Sequence, residues 1–125
     1  MLHRFYTVDW PRPRIAALAN LVDEAATEGD AVARELLNSS AQVLATLTAS
    51  VGRQLFGDGE RARVAYLGGV FRSNLLRERF RMLVELEEGN RFGPPELGPA
   101  AGALLEAYRI AGHKVWLTKV PEVEK

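Results

Sequence analysis

The segment Tyr66-Leu67-Gly68-Gly69-Val70-Phe71-Arg72-Ser73-Asn74 holds the residues best placed to do chemistry. Glycine loses more backbone freedom on folding than any other residue, so an adjacent pair belongs where the chain turns through unusual angles or where something must come close to it. An apolar, strand-like run precedes Gly68 and Gly69, and the helix-capping types Ser73 and Asn74 follow. A strand, two glycines and a capped helix gather backbone N–H groups and a positive helix end at one point. That arrangement attracts anions and admits a ligand close to the main chain. Arg72, the arginine nearest the pair, is the one that could meet a phosphate or a ribose.

Other chemistry is poorly supplied. The only histidines are His3 and His113, far apart, and there is no cysteine, so thiolate metal sites and disulfides are excluded. No phosphate-binding P-loop and no Ser–His–Asp order is present. Arg72, Arg77, Arg79, Arg81 and Arg91 are interleaved with glutamates and point several ways around a helix, which reads as a solvated face rather than a nucleic-acid patch. Phe5, Tyr6 and Trp10 form an aromatic lead-in suited to covering a core or contacting another lobe.

The elements that must position the glycines follow from pattern. With 125 residues, 47% hydrophobic and 26% charged, the chain reads as one globular domain over residues 1–125. Sixteen basic residues balance sixteen acidic ones, which gives no support to nucleic-acid or acidic-membrane binding. No apolar run reaches the roughly 18 residues of a membrane span, the first residues lack the apolar core of a signal peptide, and a cytoplasmic location is expected.

Ile15, Leu18, Ala19, Val22, Ala25 and Ala26 recur at helical spacing and predict a helix ending near Glu28. Gly29 can close it and Asp30 can cap the next. Val32, Leu36, Leu37, Ser40, Val43, Leu44, Leu47, Val51 and Leu55 predict the buried side of a long helix running to Leu55. Residues 62–67 read as a strand covered on both faces, as in a parallel sheet. A third helix follows Ser73 or Asn74, with Leu75, Leu76, Phe80, Met82, Leu83, Val84 and Leu86 on its apolar face and Arg79 as the exception within it. A short strand around Arg91 and Phe92, a fourth helix closed by Gly112, and a β-prone tail over 113–125 complete the reading.

Two stretches, "VAYLGGVFRSNLLRERFRMLV" followed by "GPAAGALLEAYRIAG", together with the upstream "RIAALANLVDEAATEGDAVARELLNSSAQVLATL", resemble the C-terminal lobe of the BadF/BadG/BcrA/BcrD ATPase and N-acetylglucosamine kinase family. This family lies within the actin-like sugar-kinase superfamily, and the resemblance covers roughly residues 4 to 112. It implies a partial ribonuclease-H-like α/β lobe, mostly helical with a small parallel sheet. It also implies that Gly68 and Gly69 belong to an adenosine motif whose backbone passes close to the nucleotide. Val70 and Phe71 would border the adenosine side of an ATP cleft, Asn74 would open the helix behind it, and Gly98, Ala100, Ala101 and Gly102 would form a closely packed helix start.

The same resemblance implies what is missing. The family's front lobe carries a phosphate loop and carboxylates that hold Mg, and neither has a counterpart here. The expectation is therefore a nucleotide-binding half-lobe that is not catalytic alone, because phosphoryl transfer depends on positioning phosphate and metal. Its expected partners are a nucleotide and either the missing lobe or a second copy in a homodimer, with the lead-in or the tail crossing between subunits. Two alternatives stand beside it: a stand-alone helical protein-interaction module, and a fragment of a CoA-dehydratase activator ATPase.

Overall fold

A computed structural model describes residues 12–57 and 59–116. Its elements in order are α1 (Arg12–Glu28), α2 (Ala31–Leu55), β1 (Arg63–Ala65), a 3₁₀ turn (Gly69–Arg72), α3 (Asn74–Glu85), β2 (Arg91–Gly93) and α4 (Pro99–Ile110). The chain is mostly helical with one two-stranded parallel sheet. It groups into two compact units, the first ending at Gly93 and the second beginning at Pro94. The lead-in aromatics Phe5, Tyr6 and Trp10, together with His3 and the tail from 117 onward, lie outside the described residues. Among the described residues no helix is long and apolar enough to cross a membrane.

The junctions between helices form as local chemistry dictates. Gly29 takes φ +106°, and the N–H groups of Gly29 and Asp30 bond the carbonyls of Ala26 and Ala25 at 3.2 and 2.9 Å. Those two bonds satisfy carbonyls that the end of α1 would otherwise leave bare. Asp30 then caps α2: its carboxylate accepts from the N–H of Ala33 at 2.7 Å. Arg34 donates from Nε back to the Ala26 carbonyl at 2.8 Å, placing a cation at the C-terminal end of α1.

The core of the first unit lies between α1, α2 and α3. Its buried members are Ala26, Ala33, Leu37, Ala41, Ala45, Leu76, Phe80 and Val84. The division of labour is uneven. Helix α2 presents mainly alanines, which let its backbone come close to α3, and α3 supplies the bulk through Leu76 and Phe80. The expected buried side of α2 is corrected accordingly: of the residues named for it, only Leu37 is buried, Leu44 is half-buried, and Val32, Leu36, Val43, Leu47, Val51 and Leu55 are exposed. On α3, Leu76, Phe80 and Val84 point inward, while Leu75, Met82 and Leu86 share an exposed stripe with Arg79. Both helices carry two apolar stripes, and close packing selected the one that fits between them.

Strand β1 pairs with β2 in parallel, with Arg63 opposite Arg91, Val64 opposite Phe92 and Ala65 opposite Gly93. The strand is shorter than the expected 62–67, because the next places on β2 would be Pro94 and Pro95. Proline has no N–H to donate, so the ladder stops. The sheet is also covered on one face only. Val64, Tyr66 and Phe92 are half-buried and Arg63, Ala65 and Arg91 are exposed.

In the second unit Pro99 opens α4, where a missing N–H costs nothing. Gly112 closes it at φ +80°, with the His113 N–H on the Tyr108 carbonyl at 2.9 Å. Arg109 and Glu106 pair along its surface at 2.6 Å. This holds the Glu106 carboxyl below the usual range, chiefly through the hydrogen bond from the guanidinium.

Candidate functional site

The glycine pair lies just beyond the C-terminal end of β1, where the chain changes direction. Gly68 has φ +107° and ψ 163°, a conformation essentially closed to residues with a Cβ. It caps the 3₁₀ turn that runs from Gly69 to Arg72, and Ser73 then caps α3. Gly69 differs from its neighbour. Its φ lies outside the left-handed region, and a Cβ built on it would meet nothing within 4 Å. The backbone at Gly68 requires a glycine and that at Gly69 does not, while a Cβ at either position would meet nothing within 4 Å.

Gly69 borders a cleft of about 210 Å³ between α1, the first half of α2 and the start of α3. Of the expected site residues, Gly69, Val70 and Arg72 line it. Phe71 does not. It turns to the other side and joins an aromatic cluster, with ring centroids 5.5 Å from Tyr66 and 5.4 Å from Phe80; Phe92 stacks on Tyr66 at 5.1 Å. Asn74 is also outside the lining. Its side-chain oxygen accepts from Arg77 Nη2 at 2.7 Å, and the Arg77 guanidinium lies 5.7 Å over the Tyr66 ring.

Two polar residues that sequence reasoning did not single out complete the wall. Asn20 and Asp23 project from α1 into the same cleft. The Ser73 hydroxyl donates to the Asp23 carboxylate and accepts from the N–H of Leu76 at 3.2 Å. A signal was available: Asp23 stands at helical spacing between Ala19 and Ala26, on the face the apolar pattern turns inward.

These partners change the electrostatics expected of the turn. The positive end of α3 is already met by the Ser73 oxygen and, behind it, the Asp23 carboxylate. A phosphate placed there would face that carboxylate. The backbone N–H groups of Gly69 and Val70 are different, because the first donors of a helical turn have no acceptor within it. The lining thus brings together the Gly69–Val70 backbone, the acidic Asp23, the basic Arg72, the Asn20 amide and apolar walls from Val22, Leu37 and Leu76. Such a set suits a neutral, flat group carrying both donors and acceptors better than it suits a multiply charged anion.

A second hollow, of about 420 Å³, lies at the other end of α2, by Arg53, Phe56, Glu60 and Glu87. Two of its acids are engaged in local turns: Glu60 accepts from the Gly57 N–H at 2.8 Å and Glu87 from the Asn90 amide at 3.2 Å. Among the described residues no group of three or more potential ligands could hold a metal ion. His113 packs against Tyr108 at 6.5 Å between ring centroids.

No family model matches the chain, and no curated protein matches it.

Proposed function

We propose that this chain is the adenosine-side lobe of an ATP-dependent kinase or ATPase, with a ribonuclease-H-like fold and a sugar of the N-acetylglucosamine type as the phosphoryl acceptor of the kinase form. The observation that carries the reading is the backbone at Gly69. It borders a cleft, a Cβ built on it would meet no protein atom within 4 Å, and it stands between a parallel strand and a capped helix. In this reading the nucleoside lies in the cleft. Gly69 and Val70 donate from the main chain, Asp23 accepts from a ribose hydroxyl or an exocyclic amine, and Val70 and Leu76 flank the base. The phosphates and their Mg lie beyond Arg72, toward parts that residues 12–116 do not supply. The lobe therefore binds but does not turn over nucleotide, and a cytoplasmic setting, where ATP is abundant, goes with it.

The reading is tested by ligand-observed NMR saturation transfer with adenosine, AMP and ATP, beside a turnover assay with Mg-ATP and N-acetylglucosamine. Adenosine should bind with an affinity on the order of millimolar, since one wall buries only part of a ligand. Added phosphates should improve it little, and turnover should stay at background. Gly69→Asp should abolish the transfer by filling the approach with a side chain and a second negative charge. Equal transfer in Gly69→Asp, or turnover in the unmodified chain, would overturn it.

A further inference from the structure

The lining of the cleft beside Gly69 is graded from mouth to floor. Leu37, Ser73 and Leu76 are 8%, 7% and 1% exposed, whereas Gly69, Val70 and Arg72 are all exposed. Ser73 is the only buried polar residue among those described. Its hydroxyl donates to Oδ1 of Asp23, which ties the half-buried carboxylate of α1 to the floor. The same hydroxyl accepts from the N–H of Leu76 at 3.2 Å, so it is fixed from both sides and the carboxylate is fixed with it. The other oxygen of Asp23, Oδ2, takes no hydrogen bond from any described residue. At the mouth, the Arg72 side chain forms no ion pair among the described residues.

This grading orients a nucleoside. The cleft, at about 210 Å³, is smaller than the roughly 300–1,000 Å³ of sites that enclose a drug-sized ligand. It has room for a base and leaves the sugar and phosphates outside. Phosphates stay at the solvated mouth with Arg72, because taking their charge toward the floor costs far more. The hydroxyls of a ribose would be poorly served against Leu37 and Leu76, whereas the flat face of a base covers them. The base is therefore innermost, and an edge of the base is what meets the Asp23 carboxylate. A carboxylate accepts hydrogen bonds and donates none. The exocyclic amine of adenine gives it a donor. A base with no donor at that place leaves Oδ2 without a partner.

We infer that Asp23 reads the base: Oδ2 accepts from the exocyclic amine of a 6-aminopurine, and Ser73 is the positioning residue that holds the carboxylate for it. The inference rests on the nucleotide reading above and narrows it. Selection is by the amine of the base and is indifferent to the ribose 2′-hydroxyl, which stays outside with the sugar.

Three nucleosides test it on the full, ¹⁵N-labelled chain, each titrated separately and followed by amide shifts: adenosine, purine riboside, which is the same nucleoside without the amine, and 2′-deoxyadenosine. Purine riboside should bind roughly tenfold more weakly than adenosine, the lower end for losing a hydrogen bond to a charged group that water partly reaches. 2′-Deoxyadenosine should bind as adenosine does. Asp23→Ala should bring adenosine down to the level of purine riboside and leave purine riboside where it was. Ser73→Ala, measured at a temperature where circular dichroism shows it folded, should shrink the gap between the two nucleosides, which a purely structural role for Ser73 would leave intact. If Asp23→Ala does not fold, the three nucleosides on the unmodified chain decide alone. Equal binding of adenosine and purine riboside, a gap that survives Asp23→Ala, or a comparable loss with 2′-deoxyadenosine would each overturn the inference and leave the nucleoside site standing. A gap unchanged in Ser73→Ala would overturn the positioning role. Absence of any shift with adenosine would overturn the inference and the nucleotide reading together.

Discussion

Replacing Ser73 with alanine removes one oxygen that serves two elements. In the structure the Ser73 hydroxyl accepts from the N–H of Leu76 at 3.2 Å and donates to the Asp23 carboxylate on α1. Losing a helix cap of this kind costs about 1 kcal/mol. A hydrogen bond to a charged group contributes roughly 1.5–3 kcal/mol, and because Asp23 is half-buried water replaces the lost donor only in part. The expected destabilisation is thus about 2–3 kcal/mol, which for a unit of this size lowers the melting temperature by roughly 10–20 °C. Urea denaturation of Ser73→Ala, Asp23→Asn and the double variant separates the two contributions. The cap term should persist in either background. The link to Asp23 should appear as a coupling of about 1 kcal/mol between the two substitutions. Strictly additive costs would mean that the link contributes nothing and that α1 is held to α3 by the core alone. A loss below about 0.5 kcal/mol in Ser73→Ala, the size of an ordinary surface change, would refute the reasoning altogether.

The other predictions use the same kind of measurement. Gly68→Ala should cost about 1–3 kcal/mol by forcing a Cβ into a φ of +107°, whereas Gly69→Ala should stay within about 0.5 kcal/mol because its Cβ would meet open space; equal costs would show that the two glycines have the same role. Phe80→Ala, which removes the ring that joins Phe71 and Phe92 to the helical core, should cost about 3–5 kcal/mol and leave the first unit largely unfolded by circular dichroism. The Glu106 carboxyl, depressed by its hydrogen bond to Arg109, supports α4 when ionised, so its contribution is present above the ordinary glutamate pKa and lost as pH falls through the lowered value. Its carboxyl carbon should titrate below an ordinary glutamate by NMR and return to the usual range in Arg109→Gln.

Local chemistry was legible in the sequence, and tertiary choice was not. Gly29-Asp30 could be read as a helix closure followed by a cap because both roles depend on neighbours within a few residues, and the same holds for Ser73 and for the strand–glycine–helix order. The inward face of α2 could not be read, because two apolar rows run along that helix and hydrophobic periodicity favours the one with larger side chains. The packing distance to α3 favours alanine, and distance is a property of the pair. The strand over 62–67 was overextended because its end is set by Pro94 and Pro95, which follow the other strand. Phe71 was placed beside the cleft with Val70 by the family resemblance, and the structure sets it in the ring cluster with Tyr66 and Phe80. Asp23 was the clearest missed signal: a carboxylate at an inward helical position asks for a partner, and the partner was Ser73, fifty residues away.

The claim that Gly69 opens onto a nucleoside site is tested most directly by amide shift mapping. Uniformly ¹⁵N-labelled chain is titrated with adenosine to several times its expected millimolar affinity. The account predicts that the backbone amides of Gly69, Val70, Arg72 and Ser73 and the side-chain amide of Asn20 move together along one saturating curve, while Phe71 moves less and the hollow near Arg53 and Glu60 does not move. Saturating shifts centred on that hollow, or no shift anywhere in the Gly68–Ser73 turn, would contradict it.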